Sequence, residues 1–309
     1  MGTPDFAIPS LEAISESHNN LIGIVTQPDR PRGRGKRLRP SPVKSWALDK
    51  GIDIYQPENI NDPDSVELLK SLKPDLIVTA AFGQIVSKDV LDIPSLGCIN
   101  VHASILPRYR GASPIQQAII DGEEETGITI MYMDEGMDTG DIILQKYTSI
   151  DPDENAGSLH DRLALLGGRT LKEALELFEQ GRPEGVPQDH DSATYCKKID
   201  KSWGEINWNM PATQLKNLVR GLTPWTGCFT FYNDERLKIW KVEIINKQLG
   251  EADQAASEVV ISNQTDGLVV QCGDGLVRLI CIQGAGGKPM KDITYLMGHS
   301  IPVGVKLGR

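Results

Sequence analysis

The sequence contains no C-x-x-C pair, no apolar run long enough to cross a membrane and no complete glycine-rich phosphate loop. The five scattered cysteines argue against a metal site and indicate a reducing, cytoplasmic setting. A membrane span needs roughly 18 consecutive apolar residues, so no membrane association is expected. Residues 33–36 and 284–287 each lack part of the P-loop or dinucleotide pattern, so NAD or ATP bound through the usual turn is not expected either.

Positive charge is scarce overall but concentrated in one stretch. The 32 Lys and Arg are outnumbered by 42 Asp and Glu, which gives a net charge of −10. Residues 30–44 nevertheless contain no acid and seven basic residues: Arg30, Arg32, Arg34, Lys36, Arg37, Arg39 and Lys44. A basic loop on an acidic body is typical of a protein that binds a phosphate-bearing partner. The alternative interpretation is a solvated loop, because Gly and Pro interleave with the cations.

The first half of the chain predicts an α/β fold. Short apolar runs at 21–26, 52–55, 75–81, 96–101 and 128–133 indicate strands, and residues 6–16, 41–50, 63–72 and 113–121 indicate helices between them. This alternation predicts a Rossmann-like, doubly wound parallel sheet that is covered on both faces. Ligands of such sheets bind beyond the carboxyl ends of the strands.

The pattern changes after a long predicted helix at 156–180. Two Pro and two Gly within residues 181–187 begin a linker. Short strands then recur near 227–232, 236–246, 257–262, 267–272 and 276–283, which predicts a small OB-like β-barrel. We therefore expect an α/β domain at 1–180, a linker at 181–200 and a β-barrel domain at 201–309.

The start of the chain leads to a further expectation. Gly2, Thr3 and Pro4 form a turn into the first helix, and such a turn normally follows the first, buried strand of a doubly wound sheet. Losing about five apolar side chains of that strand would remove on the order of 10 kcal/mol, against a net domain stability of about 5–15 kcal/mol. We therefore expect that the first strand is truncated in this sequence.

Asn100 and His102 are the strongest candidates for catalysis. They end the apolar run 96–101, and residues two apart on a strand project from the same face. Acyl transfer to an amine needs a donor for the developing oxyanion and a group of near-neutral pKa that handles protons. The alternative for His102 is a satisfied core histidine, but Asn100 and the Ser104–Pro107 stretch after it favour a site.

Asp138 is the candidate carboxylate partner of this histidine. It lies in a glycine-rich run, residues 133–141, which follows a predicted strand. The spacing does not match a calcium loop, so a metal site is not expected. A polar turn is the alternative, but an imidazole that acts in acyl transfer needs a carboxylate to orient it.

These motifs resemble those of the folate-dependent formyltransferases, and along the whole chain those of the members that act on methionyl-tRNA. The matching stretches are GTPDF at 2–6, TQPDRP at 26–31, SPVK at 41–44, GCINVH at 97–102, SILP at 104–107, GAxPIQ at 111–116, MDTGD at 137–141 and PW at 224–225. Ile105 stands where the family usually has Leu, a volume-conserving change.

The resemblance implies a reaction and a set of binding residues. The expected reaction is formyl transfer from 10-formyltetrahydrofolate, as co-substrate, to the α-amine of initiator methionyl-tRNA. Asn100 and protonated His102 would stabilise the oxyanion, and Asp138 would hold His102. The implied folate contacts are Ser104, Ile105, Leu106, Pro107, Phe82 and Gly83; the implied tRNA contacts are Arg34, Lys36, Arg37 and Arg220. We expect a monomer with no membrane partner.

Three other functions compete with this interpretation. A formyltransferase that acts on an amino-sugar nucleotide would share the Asn, His and Asp set and a similar second domain, but it has no need of the basic stretch. A purine-pathway formyltransferase would need only the first domain. A non-catalytic tRNA-binding module is a different class, and the presence of Asn100, His102 and Asp138 argues against it.

Overall fold

The structure is a computed structural model that describes residues 1–32, 37–245 and 255–309. The chain divides into two units. The first comprises Met1–Pro114, Glu125–Ser149 and His160–Cys196, and the second comprises Ile115–Glu124, Ile150–Leu159 and Lys197–Arg309. Each unit is built around its own main sheet.

The described helices and strands follow the chain in this order. The helices are α1 (Ile8–Ser15), α2 (Pro42–Lys50), α3 (Pro63–Leu72), α4 (Lys88–Leu91), α5 (Pro114–Ile120), α6 (Ala156–Phe178), α7 (Ala212–Leu222) and α8 (Asp292–Leu296). The strands are β1 (Ile24–Val25), β2 (Arg30–Arg32), β3 (Arg37–Arg39), β4 (Ile54–Tyr55), β5 (Ile77–Thr79), β6 (Cys98–His102), β7 (Arg110–Gly111), β8 (Glu125–Tyr132), β9 (Ile142–Ser149), β10 (Tyr195–Cys196), β11 (Cys228–Tyr232), β12 (Glu235–Ile245), β13 (Val259–Asn263), β14 (Gly267–Gln271), β15 (Leu276–Gln283) and β16 (Met290–Lys291). None of the described helices combines the length and the apolar character needed to cross a membrane.

The first unit has the predicted α/β fold with a mixed main sheet. Its strands lie in the order β5-β6-β8-β9, and β1 pairs with β4 in a separate parallel pair. β5 and β6 are parallel, as predicted, whereas β6–β8 and β8–β9 are antiparallel. The expectation of an all-parallel sheet is wrong at β8, because side chains alternate in the same way in parallel and antiparallel strands. Strand direction is therefore not visible in the apolar pattern.

Met1 and Gly2 lie between β1 and β5. Gly2 N donates to Val25 O at 3.0 Å, and Ala80 N donates to Met1 O at 2.9 Å. A cavity of about 380 Å³ lies beside them, lined mainly by apolar side chains such as Leu11 and Leu175. Asn100, His102 and Asp138 are not among its lining residues, so this cavity is separate from the candidate site. The expectation of a further strand at this place stays a prediction.

Helix α2 begins and ends where the sequence provides caps. Ser41 Oγ accepts from Lys44 N at the start of α2, Pro42 takes the first helical position, and Gly51 ends the helix in the left-handed conformation. In the part of α6 that belongs to the first unit, buried leucines recur at helical spacing: Leu163, Leu171 and Leu175. Local sequence therefore determines where α2 starts and ends and which face of α6 is buried.

The second unit has the predicted all-β architecture. Its six strands form one antiparallel sheet in the order β11-β12-β15-β14-β13, with β16 paired to β15. Leu215, Leu218, Val219 and Leu222 of α7 belong to the core cluster of this sheet. Within residues 197–245 and 255–309, no pairing of β11 with β13 closes the sheet. The fold class is confirmed, and the OB-like closure stays a prediction.

Candidate active site

Asn100 and His102 end β6 on one face of the sheet. In the pairing with β8, Asn100 lies opposite Met131 and His102 opposite Thr129. His102 is 6% exposed, whereas Asn100 is half-buried. The Asn100 carboxamide makes no hydrogen bond to any residue that the structure describes, so both its donor and its acceptor are available to a ligand.

The contacts of the two ring nitrogens of His102 identify its reactive nitrogen. His102 Nε2 lies 3.0 Å from Tyr109 O, and Nδ1 lies 3.6 Å from Asp138 Oδ1. A carbonyl oxygen can only accept, so Nε2 carries a hydrogen in either protonation state. Nδ1 therefore faces the carboxylate and is the nitrogen that changes its proton.

Asp138 is held in place through its carboxylate. Its φ is +55°, in the left-handed region, and its Oδ2 accepts from Gly111 N at 2.8 Å. Gly111 has a φ of +112°, and a Cβ there would lie 2.4 Å from Cys196 O. Only glycine fits this backbone position, which explains why Gly111 can bring its N–H to the carboxylate.

Residues 186–196, within the stretch predicted as a linker, lie against this site. On one side they bond the chain around β7: Arg110 N donates to Thr194 O at 2.9 Å, and Ala112 N donates to Cys196 O at 3.1 Å. On the other side Val186 and Ile142 exchange both backbone hydrogen bonds at 2.8 Å. Sequence reasoning missed this role because no periodic pattern or motif marks the segment.

Buried hydrogen bonds shape the predicted folate-binding turn at 104–107. Thr129 Oγ1 donates to Ser104 O at 2.7 Å and accepts from Leu106 N at 3.1 Å. Ser104 and Leu106 are buried, whereas Ile105 and Pro107 are half-buried. In the structure, Ile105 and Pro107 are therefore the residues of the turn with surface left for a ligand, and Ser104 and Leu106 maintain its shape.

Phe82 and Gly83 differ in what they can offer a ligand. The Phe82 side chain is 2% exposed and belongs to an apolar core cluster with Val25 and Ile60. Its carbonyl accepts from Thr3 Oγ1 at 3.1 Å and from Gln27 Nε2 at 3.3 Å. Gly83 is exposed, with a φ of +85°. Only Gly83 of this pair presents surface, and its contact to folate stays a prediction.

The two sides of the predicted basic stretch pair with each other as antiparallel strands, and we call this stretch the basic hairpin. β2 pairs antiparallel with β3, whose first residue is Arg37; Arg34 and Lys36 lie outside the described residues. The base of the hairpin is tied down, since Lys44 Nζ bonds Asp29 Oδ2 and Gln56 Oε1, both at 2.7 Å. The hydrogen bond from Lys44, and after it the one from Gln56, lowers the pKa of Asp29. Lys44 is thus a structural cation, which the sequence did not show.

Arg220 in the second unit is already hydrogen-bonded within the protein. Its Nη1 donates to Asp151 O and Glu154 O, both at 3.0 Å, and its Nη2 donates to Asn217 Oδ1 at 2.8 Å. Burial lowers the pKa of Arg220. The guanidinium closes the 151–154 turn, so its predicted contact with tRNA has to compete with these bonds.

Two family models match the chain. The formyl transferase model matches residues 1–175, and the model of the formyl transferase C-terminal domain matches residues 198–300. The chain therefore belongs to the formyl transferase family, and the predicted enzyme class is confirmed.

Relatives that match the whole chain narrow this class. The methionyl-tRNA formyltransferase of Caldanaerobacter subterraneus subsp. tengcongensis is 46% identical over 308 residues, which cover 99% of this chain and 98% of that protein. The same enzyme of Clostridioides difficile is 44% identical over 308 residues, or 100% of this chain and 98% of that protein. The branch of the family that this chain matches is thus methionyl-tRNA formyltransferase, as the sequence motifs predicted.

Solved structures agree in fold. The sugar 3N-formyl transferase WlaRD superposes with a TM-score of 0.67 at 21% identity over 93% of this chain and 97% of that chain. Methionyl-tRNA formyltransferase from Clostridium thermocellum superposes with a TM-score of 0.50 at 19% identity over 66% of this chain and 88% of that chain. At these identities the likeness concerns the fold alone.

Proposed function

We propose that this protein transfers the formyl group of 10-formyltetrahydrofolate to the α-amine of methionine esterified to initiator tRNA. The product would be N-formylmethionyl-tRNA for translation initiation. The observation that carries the proposal is the position of His102 Nδ1, 3.6 Å from Asp138 Oδ1, on the strand end that also presents Asn100. The full-length match to methionyl-tRNA formyltransferases supports the choice of substrate.

The side chains divide the chemistry between them. Bound 10-formyltetrahydrofolate supplies the formyl group, and the methionine amine forms the new C–N bond as the bond to folate N10 breaks. The Asn100 amide and the protonated Nδ1 of His102 donate to the formyl oxygen as it becomes an oxyanion. Asp138 orients this imidazolium and accepts the amine proton, directly or through water, and that proton balances the one N10 gains.

Folate binding is assigned to the surfaces that the two loops leave available. Ile105 and Pro107 offer half-buried apolar surface, and Gly83 offers exposed backbone. This combination suits a flat heterocycle, which needs apolar faces and a few backbone polar groups. Ser104 and Leu106 would act by keeping the turn in shape, and Phe82 by anchoring its loop in the core.

Contact with tRNA is assigned first to the basic hairpin. Arg34, Lys36 and Arg37 would meet the acceptor end and its phosphates, because phosphate contacts give affinity and register to nucleic-acid complexes. The bonds of Lys44 to Asp29 and Gln56 would hold the hairpin base. Arg220 would contact tRNA only if a tRNA phosphate replaces its present acceptors, Asp151 O, Glu154 O and Asn217 Oδ1. We expect the active protein to be a cytoplasmic monomer.

The assay that tests this function uses two tRNAs side by side. The protein is incubated with 10-formyltetrahydrofolate and with methionyl-tRNA of the initiator or the elongator type. The proposal predicts formylation of the initiator and little of the elongator. No product on the initiator, with product on a nucleotide-linked amino sugar, would favour the competing sugar activity. Equal product on both tRNAs would remove the initiator selectivity and leave the chemistry.

A further inference from the structure

Arg110 is a buried cation without a buried anion beside it. Its side chain is 1% exposed, and the described part of the chain gives its guanidinium no carboxylate partner. None of its hydrogen-bond partners is a carboxylate: Nε and Nη2 donate to Gln188 Oε1 at 3.1 and 2.7 Å, and Nη1 donates to Tyr195 OH at 3.1 Å. Nη2 also lies 3.2 Å from His190 Nδ1. A buried charge is costly to retain, so this arrangement calls for a reason beyond packing.

Gln188 connects this cation to the backbone of Asp138. Because Gln188 Oε1 is fixed by two guanidinium donors, its amide nitrogen must point the other way. There Nε2 donates to Asp138 O at 2.9 Å and to Gly140 O at 2.7 Å. Gln188 is 5% exposed, so water does not compete for these bonds.

Asp138 is consequently held at both ends from adjacent residues of β7. Gly111 N binds its carboxylate at 2.8 Å, and Arg110 binds its carbonyl through Gln188. A residue in the left-handed conformation persists only where its surroundings determine it, and Asp138 has a φ of +55°. The two bonds together fix the direction in which the carboxylate meets His102.

We propose that Arg110 and Gln188 are positioning residues that hold the Asp138 carboxylate facing His102 Nδ1 for formyl transfer. The inference rests on the proposed function, in which Asp138 acts on His102 and the amine proton. Neither residue touches the reacting atoms. We call the chain of hydrogen bonds from Arg110 through Gln188 to the Asp138 carbonyl the relay. The relay requires an amide at position 188, since its oxygen must accept from Arg110 and its nitrogen must donate to two carbonyls.

The variant that tests this relay is Gln188→Glu. A glutamate keeps the bond to Arg110, and gains charge complementarity with it, but cannot donate to Asp138 O or Gly140 O. We expect kcat to fall about 10- to 100-fold, because a displacement of about 1 Å costs this much at a reacting centre. KM for both substrates should change little, whereas the melting temperature should fall, because the new carboxylate oxygen faces the carbonyls of Asp138 and Gly140. Full activity of the folded variant would overturn the proposal.

A double-mutant cycle separates positioning from a general structural role. If Gln188 acts through Asp138, then Gln188→Glu slows the wild type but does not slow Asp138→Asn any further. Independent, multiplying losses would contradict the relay. Gln271→Leu is the matched control: this half-buried glutamine of the second unit also donates to a backbone carbonyl, Cys272 O at 2.9 Å. It should leave kcat unchanged.

The same measurements distinguish failure of the inference from failure of the function. An active wild type, an impaired Asp138→Asn and an unimpaired Gln188→Glu would refute only the relay. An unimpaired Asp138→Asn would refute the proposed role of Asp138 and, with it, the relay.

Discussion

The position of one carboxylate beside one imidazole nitrogen determines the chemistry proposed for this site. Because Tyr109 O holds His102 Nε2, only Nδ1 can exchange a proton, and only Asp138 faces it among the described residues. The amide of Asn100 completes the set from the same face of β6. These three side chains offer a donor, an acid and a base for acyl transfer.

The negative charge of Asp138 should be needed for a fast formyl transfer. In Asp138→Asn the amide oxygen can still accept from Gly111 N, but the negative charge is lost. We expect the single-turnover rate of formyl transfer to fall about 10²- to 10⁴-fold, with tRNA affinity unchanged in a filter-binding assay. Glu135→Gln, an exposed carboxylate of the same loop, is the control. A rate within threefold of wild type would contradict the role given to Asp138.

The backbone at Gly111 should tolerate no side chain, because its N–H positions the Asp138 carboxylate. In Gly111→Ala the new Cβ would lie 2.4 Å from Cys196 O, and the φ of +112° is unfavourable for alanine. The chain must shift, and with it the donor to Asp138. We expect at least a tenfold loss of kcat and a lower melting temperature. Gly275→Ala, where the nearest atom lies 3.9 Å away, should be silent in both measurements.

Among the secondary-structure elements, the basic hairpin should control tRNA binding. We expect Arg34→Ala to raise KM for methionyl-tRNA several-fold and to reduce the salt dependence of binding by about one charge. KM for the formyl donor should stay unchanged. The control is Lys88→Ala, an exposed cation paired with Asp92. Equal losses for both substrates would show that the hairpin is structural instead.

The core face of β11 should protect Cys228 from reagents. Burial raises the pKa of the Cys228 thiol from 9.0 to about 12. At pH 8.5 the thiolate fraction of Cys228 is about one in three thousand, so alkylation of Cys228 should be very slow in the folded protein and should become fast in denaturant. Mass spectrometry after timed alkylation measures this. Labelling of Cys228 at the rate of a free thiol would contradict the burial of this strand.

The raised pKa of Cys228 also makes the free energy of unfolding depend on pH. The folded state keeps the Cys228 proton to a higher pH than the unfolded chain does, so the folded state binds more protons between pH 9 and pH 12. This contribution to the free energy of unfolding is therefore fully present below pH 9 and is lost as the pH rises toward 12. Urea unfolding at pH 8 and pH 10 checks the sign.

Elements with a regular apolar pattern were predictable, and elements defined by distant partners were not. β6 and α6 follow from continuous apolar runs and helical spacing. β9 was missed because all eight of its residues are half-buried or exposed, so no clear alternation marks Ile142–Ser149. α8 has only five residues, too few for a periodic pattern. The direction of β8 depends on pairing with β6 and has no local signature.

The site shows the same division. Asn100 and His102 were predictable because they are neighbours at the end of one strand. Asp138 could be joined to them only by chemical reasoning, across 36 residues of sequence. Gln188 could not be predicted, since its partner Arg110 lies 78 positions away and the bond forms only in the folded chain.

For the whole molecule, the two units carry different parts of the proposed function. The first contains the strand end with Asn100 and His102, the Asp138 loop and the basic hairpin. The second contains the antiparallel sheet matched by the C-terminal family model. The acidic excess of the chain lies in residues 1–200. The basic hairpin would therefore attract the phosphates of tRNA, whereas the acidic remainder of this half would repel them.

The role of His102 is decided by the single-turnover rate of formyl transfer to initiator methionyl-tRNA by the His102→Ala variant. It is measured at saturating 10-formyltetrahydrofolate beside the wild type, with tRNA binding determined on the same samples. We expect a rate lower by about 10³-fold or more, with tRNA affinity within twofold of wild type. A variant that transfers formyl groups at nearly the wild-type rate would contradict it.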